Sequence, residues 1–223
     1  MKKIKIICAL SLLFVLSIAG AILATRYFTV KEVSEKTGIV SAKWLSVEER
    51  IPYIEDFENP YAVFLDDEKA EYIIAMSQNF NLDPTLVVSI LEKENPTLKT
   101  DAVSSMNEDG TVDLGLFQLN SSSLDNFFLK EWWPKEFGEF NAGNWKHNTY
   151  IAIRYLKDLQ STFGENNIFY IAAGYNAGTP RAFNDWTNKE GYAKLPYSTK
   201  YDYAPTVKNL YNKWKIITEK ENS

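Results

Sequence analysis

The chain has 223 residues, 45% hydrophobic and 14% aromatic, which allows one globular domain with a real core plus a terminal segment. One cysteine (Cys8) and one histidine (His147) exclude an internal disulfide and leave a zinc site of Cys and His without ligands. They also argue against a Cys-His protease, since Cys8 lies in an apolar run, and against a Ser-His-Asp triad, since no nucleophile motif accompanies His147.

The N-terminus reads Met1-Lys-Lys-Ile-Lys5, then an uncharged apolar stretch from Ile6 to Ala24. Residues 1–25 are expected to be an export signal of Sec type. The stretch suffices to span a bilayer, which takes roughly 20 residues, and Ala19-Gly-Ala21 offers small residues for cleavage. An uncleaved anchor and a cleaved signal both stay open, and the absence of a following Cys argues against a lipoprotein. The positive flank places the rest outside the cytoplasm. That location is the periplasmic face of the inner membrane if anchored, and the periplasm or extracellular space if cleaved. Without residues 1–25 the chain loses three lysines and no acid, leaving 21 basic against 29 acidic residues and a formal charge of −8. Nucleic acid, which needs a basic footprint, is an unsuitable partner.

Residues 26–60 lack a sustained pattern and read as a juxtamembrane linker, with a short helix near Ser46–Ile51. The main domain is expected over residues 61–217, with a tail at 218–223. Asp66 or Asp67 caps a helix running to about Phe80, with Ala70, Ile73, Ile74 and Ser77 on one stripe. Asp83-Pro84 reads as N-cap and first residue of a second helix, which Asn95-Pro96 stops. Residues 97–123 are polar, with a turn at Asp109-Gly110, and Thr111–Asn120 reads as short strands or an irregular hairpin leading into a helix. Residues 124–145 are aromatic and read as irregular. A long helix follows from about His147 to Phe163, with Ile151, Tyr155, Leu156 and Leu159 on its apolar face and Gly164 at its end. Further helices are expected over Asn167–Asn176, ended by Gly178, and over Ala204–Ile217. The fold class is mainly α, with a small irregular or β element after the second helix.

The second helix carries the chemistry. Val87, Ile90, Leu91 and Glu94 are spaced i, i+3, i+4, i+7, so a carboxylate stands where the next core apolar residue belongs. A carboxyl half-buried against apolar side chains resists ionisation, and its raised pKa suits a general acid near neutral pH. Helix phase selects Glu94 over Glu92, whose stripe of Thr85, Val88 and Ser89 is more polar and is expected to face solvent.

Five segments, in order, resemble lytic transglycosylases of the soluble-transglycosylase type, over about residues 66–214. They are Glu94-Asn-Pro-Thr-Leu-Lys-Thr-Asp-Ala-Val-Ser104, Gly115-Leu-Phe-Gln118, the Asn148–Gly164 helix, Gly174-Tyr-Asn-Ala-Gly178, and Leu195-Pro-Tyr-Ser-Thr-Lys200 with Tyr203. The chain departs from the family pattern in places. Asn95 stands for the usual Ser, one extra residue separates Glu94 from Ala102, and Phe117 stands for Met. Gly174 stands for Ala, Ser198 for the terminal Glu, and one extra residue precedes Tyr203. The resemblance implies a lysozyme-like fold and a bacterial cell-wall enzyme acting on peptidoglycan glycan strands without a cofactor. It implies Glu94 as catalytic acid/base, Ser104 as hydrogen-bond partner of its carboxyl, Gln118, Tyr175 and Asn176 in the sugar groove, and Tyr203 beside Glu94. An acidic enzyme held close to its own wall needs no steering by a positive field.

Asp113 adds a second resemblance. Asn107-Glu-Asp-Gly-Thr-Val-Asp113-Leu-Gly-Leu-Phe-Gln-Leu-Asn-Ser121 is similar to animal-type lysozymes, in which this Asp is the second catalytic carboxylate. A retaining glycosidase needs two carboxyls roughly 5 Å apart, whereas a lytic transglycosylase needs one. Asp113 is therefore a candidate second carboxylate of a muramidase or a turn residue capping backbone amides. A non-catalytic wall-binding scaffold is the remaining alternative.

Overall fold

The computed structural model describes residues 54, 57–133, 138–178 and 195–221. The expected signal segment and the linker helix near Ser46–Ile51 lie outside the described residues. Among the described residues no helix is long and apolar enough to cross a membrane.

Helix α1 (Asp67–Asn79) starts where the Asp66 side chain accepts from Lys69 N, and its stripe Ala70, Ile73, Ile74 and Ser77 is buried. Helix α2 (Pro84–Glu94) starts at Asp83, whose carboxylate accepts from Thr85 N, with Pro84 in the first turn where no amide partner is needed. Strands β1 (Asp113–Leu114) and β2 (Leu119–Asn120) form an antiparallel hairpin in the register Asp113↔Asn120, with Val103 bridged to Leu114 outside it. A short helical turn (Ser121–Ser123) leads into a π-helical segment (Leu124–Trp132), where the sequence pattern had read irregular chain. Helices α3 (Trp145–Phe163) and α4 (Ile168–Ala177) follow, ended by Gly164 and Gly178 at φ 85° and 83°. A second π-helical segment (Thr199–Tyr203) runs directly into α5 (Ala204–Glu221), which extends four residues past its expected end.

The domain is mainly helical with one small two-stranded element. Helix α2 is the central element. It packs against α1 and α5, while α4 lies between α3 and α5. All seven residues from Thr85 to Leu91 are buried, so α2 has no solvent face over that span. The expectation for the Thr85–Val88–Ser89 stripe is therefore overturned: it faces α5, not water. The hydroxyls go in cheaply because each is already bonded, Ser89 Oγ donating to Thr85 O at 2.6 Å and Thr85 Oγ1 lying 3.1 Å from Tyr61 Oη.

Candidate active site

Helix α2 places Glu94 at the last residue that is still helical. Asn95 leaves the helical region at φ −148°, as expected before a proline. The buried Asn95 amide then ties the exit down, donating to Lys99 O (2.8 Å) and Leu116 O (3.2 Å). Asn95 thus links the end of α2 to the hairpin.

A cleft of about 290 Å³ opens between the helices and the hairpin. Its helical wall carries Glu94, Tyr155, Tyr175 and Asn176, and its hairpin wall carries Asp113, Gln118 and Asn120. Burial pushes the Glu94 carboxyl up from 4.5 to about 7. The Tyr203 hydrogen bond pulls it down, the negative charge of Asp113 pushes it up, and the positive charge of Lys93 pulls it down. Desolvation wins, so near neutrality Glu94 exists in both forms and can give a proton in one step and take one in another.

The phenol of Tyr203 donates to Glu94 Oε1. Burial and the nearby Glu94 charge hold the Tyr203 and Tyr175 phenols well above the ordinary range, so both stay protonated donors. Tyr175 Oη donates to Phe117 O at 2.9 Å, and Asn176 Oδ1 accepts from Thr199 Oγ1 at 2.6 Å. Tyr203 is brought in by the second π-helical segment, in which Ala204 N bonds back to Thr199 O. A π turn closes i→i+5 and so holds one residue more than an α turn. The segment ends with the Tyr203 phenol on the Glu94 carboxyl.

The hairpin wall is built differently. Asp113 Oδ1 accepts from Asn120 Nδ2 (3.1 Å) and Asp113 Oδ2 from Asn107 Nδ2 (3.4 Å). Gln118 holds a left-handed conformation, φ 49°, with its amide donating to Gly115 O at 2.8 Å. Gly115 itself sits at φ 75°, and a Cβ there would meet Ala142 O and the Asn148 amide at 2.3 Å. Asn148, fully buried on α3, secures this turn: its Oδ1 accepts from Phe117 N (2.6 Å) and its Nδ2 donates to Leu114 O (2.9 Å) and Ala142 O (3.3 Å).

Glu94, Asp113, Gln118, Tyr175 and Asn176 thus share one cleft, and Tyr203 bonds the carboxyl in it. Ser104 does not take the place expected for it. Its hydroxyl accepts from Asp113 N (2.9 Å) and donates to Ser105 O (2.8 Å), so the hairpin backbone uses it and Tyr203 supplies the Glu94 hydrogen bond instead. Tyr155 was legible only as a core residue. Its ring lines the cleft while Oη donates to Gly174 O at 2.9 Å. Glu92 is occupied elsewhere, accepting from Lys213 Nζ (2.8 Å) and Trp214 Nε1 (2.6 Å) on α5. His147 is a packed residue whose Nδ1 accepts from Asn141 N at 3.2 Å. Among the described residues no group of three or more His, Cys, Asp or Glu side chains could hold a metal ion.

The described residues form a helical domain with a half-buried carboxyl facing a hairpin across a cleft, and the family match places it among lysozyme-like domains. The family model described as the transglycosylase SLT domain matches residues 71–196, more than half the chain, and the chain belongs to that family. It is accordingly a lytic transglycosylase domain, consistent with lyase-type activity on peptidoglycan. No curated protein matches the chain. The match ends before Tyr203, so the residue that bonds Glu94 comes from outside the matched span.

Proposed function

We propose that this domain cleaves the β-1,4 bond between N-acetylmuramic acid and N-acetylglucosamine, with Glu94 as general acid and then general base. Protonated Glu94 gives its proton to the glycosidic oxygen as the bond to the muramyl anomeric carbon breaks. The muramyl N-acetyl oxygen stabilises that carbon. Glu94 carboxylate next takes the proton of the muramyl 6-hydroxyl, whose oxygen closes on the anomeric carbon to leave a 1,6-anhydro end. No water is consumed, and one carboxyl serves both steps.

The observation that carries this reading is the Glu94 carboxyl, pushed by burial to about 7 at the cleft and held by a tyrosine rather than a cation. Gln118, Tyr175 and Asn176 are assigned to the glycan groove, and Asp113 to holding the hairpin wall through its two asparagines. The proposed layout is an export or anchor segment over residues 1–25, a linker over 26–60 and the catalytic domain over 61–217, acting outside the cytoplasm on the cell's own wall.

The full-length chain, purified in mild detergent and incubated with bare peptidoglycan, is expected to release anhydromuropeptides detectable by mass spectrometry. Glu94→Gln is expected to lower turnover at least about a thousandfold. Reducing-end products alone would make the enzyme a muramidase, and full turnover by the variant would remove Glu94 from the chemistry.

A further inference from the structure

Lys93 and Glu94 are neighbours at the end of α2, and Asp202 and Tyr203 are neighbours at the end of the second π-helical segment. The two pairs meet in register. Glu94 is bonded by Tyr203 inside the cleft, and Lys93 Nζ lies 3.3 and 3.4 Å from the two Asp202 oxygens on the surface. The Lys93 ammonium also stands over the Tyr203 ring, 5.7 Å from its centroid. Asp202 accepts weakly from Thr206 Oγ1 (3.4 Å) in the first turn of α5, so the outer half of the contact is tied to that helix as well.

We infer that Lys93 and Asp202 are positioning residues for this active site, the outer half of a clasp that holds the Tyr203 phenol on Glu94 and keeps one positive charge beside that carboxyl. Two properties make the pair suited to this. The π turn carries an extra residue and must be held at its end if Tyr203 is to stay on Glu94, and the ion pair acts one residue away. The charge of the ammonium lowers the proton affinity of Glu94. The other groups that face it are Tyr203 from the π segment, Asp113 from β1, and the Tyr175 and Tyr155 phenols from α4 and α3. Asp113 opposes Lys93, so the lysine moderates how far burial and Asp113 together lift the carboxyl.

The inference rests on Glu94 being the acid/base, and its test reads the carboxyl directly. In the full-length chain labelled at glutamate carboxyl carbons, the Glu94 signal is assigned by its absence from Glu94→Gln and titrated by NMR. Lys93→Met removes tether and charge, and is expected to raise the Glu94 midpoint by about half a pH unit. Asp202→Asn keeps the lysine but cuts the tether; release of the phenol and of the ammonium, both of which favour the carboxylate, is expected to raise the midpoint as well, whereas removal of the Asp202 charge alone would lower it. Both variants are expected to lower turnover about two- to fivefold, and Lys93→Arg to restore it. Upward shifts in both variants support the clasp. Shifts of opposite sign, which two independent charges would give, or no shift with Lys93→Met, overturn it. Upward shifts in both together with an active Glu94→Gln would leave the clasp standing and remove the proposed chemistry.

Discussion

The two walls of the cleft are built on opposite principles. On the helical wall Glu94 ends a helix buried on every side from Thr85 to Leu91, and its protonation is governed by desolvation. On the hairpin wall Asp113 sits in a two-residue strand, with two asparagine amides on its oxygens and a backbone that leans on side chains such as Ser104 and Asn148. The helical wall sets a proton affinity, while the hairpin wall sets a shape. A chemistry with one working carboxyl and a substrate that supplies its own nucleophile needs that asymmetry; a two-carboxylate hydrolase would need both walls to present reactive groups.

The largest effect after loss of Glu94 itself tests the claim that the hairpin wall is held by side chains. Asn148→Ala deletes three hydrogen bonds at once and leaves Phe117 N and Leu114 O without their partner inside the protein. A loss of about 3 kcal/mol is expected from denaturant unfolding, with turnover falling as Gln118 and Asp113 lose their frame. A loss below about 1 kcal/mol would mean that the hairpin holds its own shape.

A smaller effect sharpens the view of the helical wall as a strained one. Glu94 binds its proton more tightly folded (about 7) than unfolded (near 4.5). Between those values the native state holds the extra proton, so stability falls as pH rises from about 4.5 to 7 and stays low above. Glu94→Gln removes the charge and its cost. The variant is expected to exceed the parent by about 2 kcal/mol at pH 8, with the difference fading by pH 4.5, in paired denaturation curves. Equal stabilities at pH 8 would contradict a desolvated carboxyl.

Much of the helical wall was legible because it follows period and caps. Asp66, Asp83, Gly164 and Gly178 stand at the helix ends where their chemistry put them, and Glu94 is the carboxyl that continues the apolar stripe. Glu94 lines the cleft and Glu92 does not, but the polarity of their stripes is not what parts them. Thr85 and Ser89 make the Glu92 stripe look solvent-facing in the sequence, yet short hydroxyls can satisfy themselves locally and pass inside a core. What separates the two acids is partnership: Glu92 has Lys213 and Trp214, and Glu94 has a phenol. The π segments were illegible because an i→i+5 turn leaves no pattern of its own in the sequence. The Ser104 hydroxyl was misplaced because hairpin backbone pairing competes for it, which spacing does not reveal.

Tyr203→Phe comes next in size and isolates the one bond that joins Glu94 to the C-terminal elements. The phenol favours the charged carboxyl, so its loss is expected to move the basic limb of the pH–rate profile upward. Turnover at neutral pH is expected to fall about tenfold, the scale of one hydrogen bond to a charged group. An unchanged limb would mean that the phenol packs without acting on the proton.

The smallest expected effect decides between the two walls as chemistry. Asp113→Asn keeps the side-chain size and an oxygen to accept from Asn120, gives up the weaker bond from Asn107, and removes one negative charge facing Glu94. If Asp113 only holds the wall, turnover should fall no more than a few-fold, since the hairpin register and the acid both survive. Because the Asp113 charge raises the Glu94 carboxyl, the variant's basic limb should also move down in pH. A drop comparable to that of Glu94→Gln, with reducing-end products in the parent, would instead make Asp113 a reacting carboxylate and the asymmetry of the walls an accident of their hydrogen bonds. The limb and the rate together separate these cases: a framing residue shifts the first and spares the second, whereas a nucleophile or base takes the rate with it.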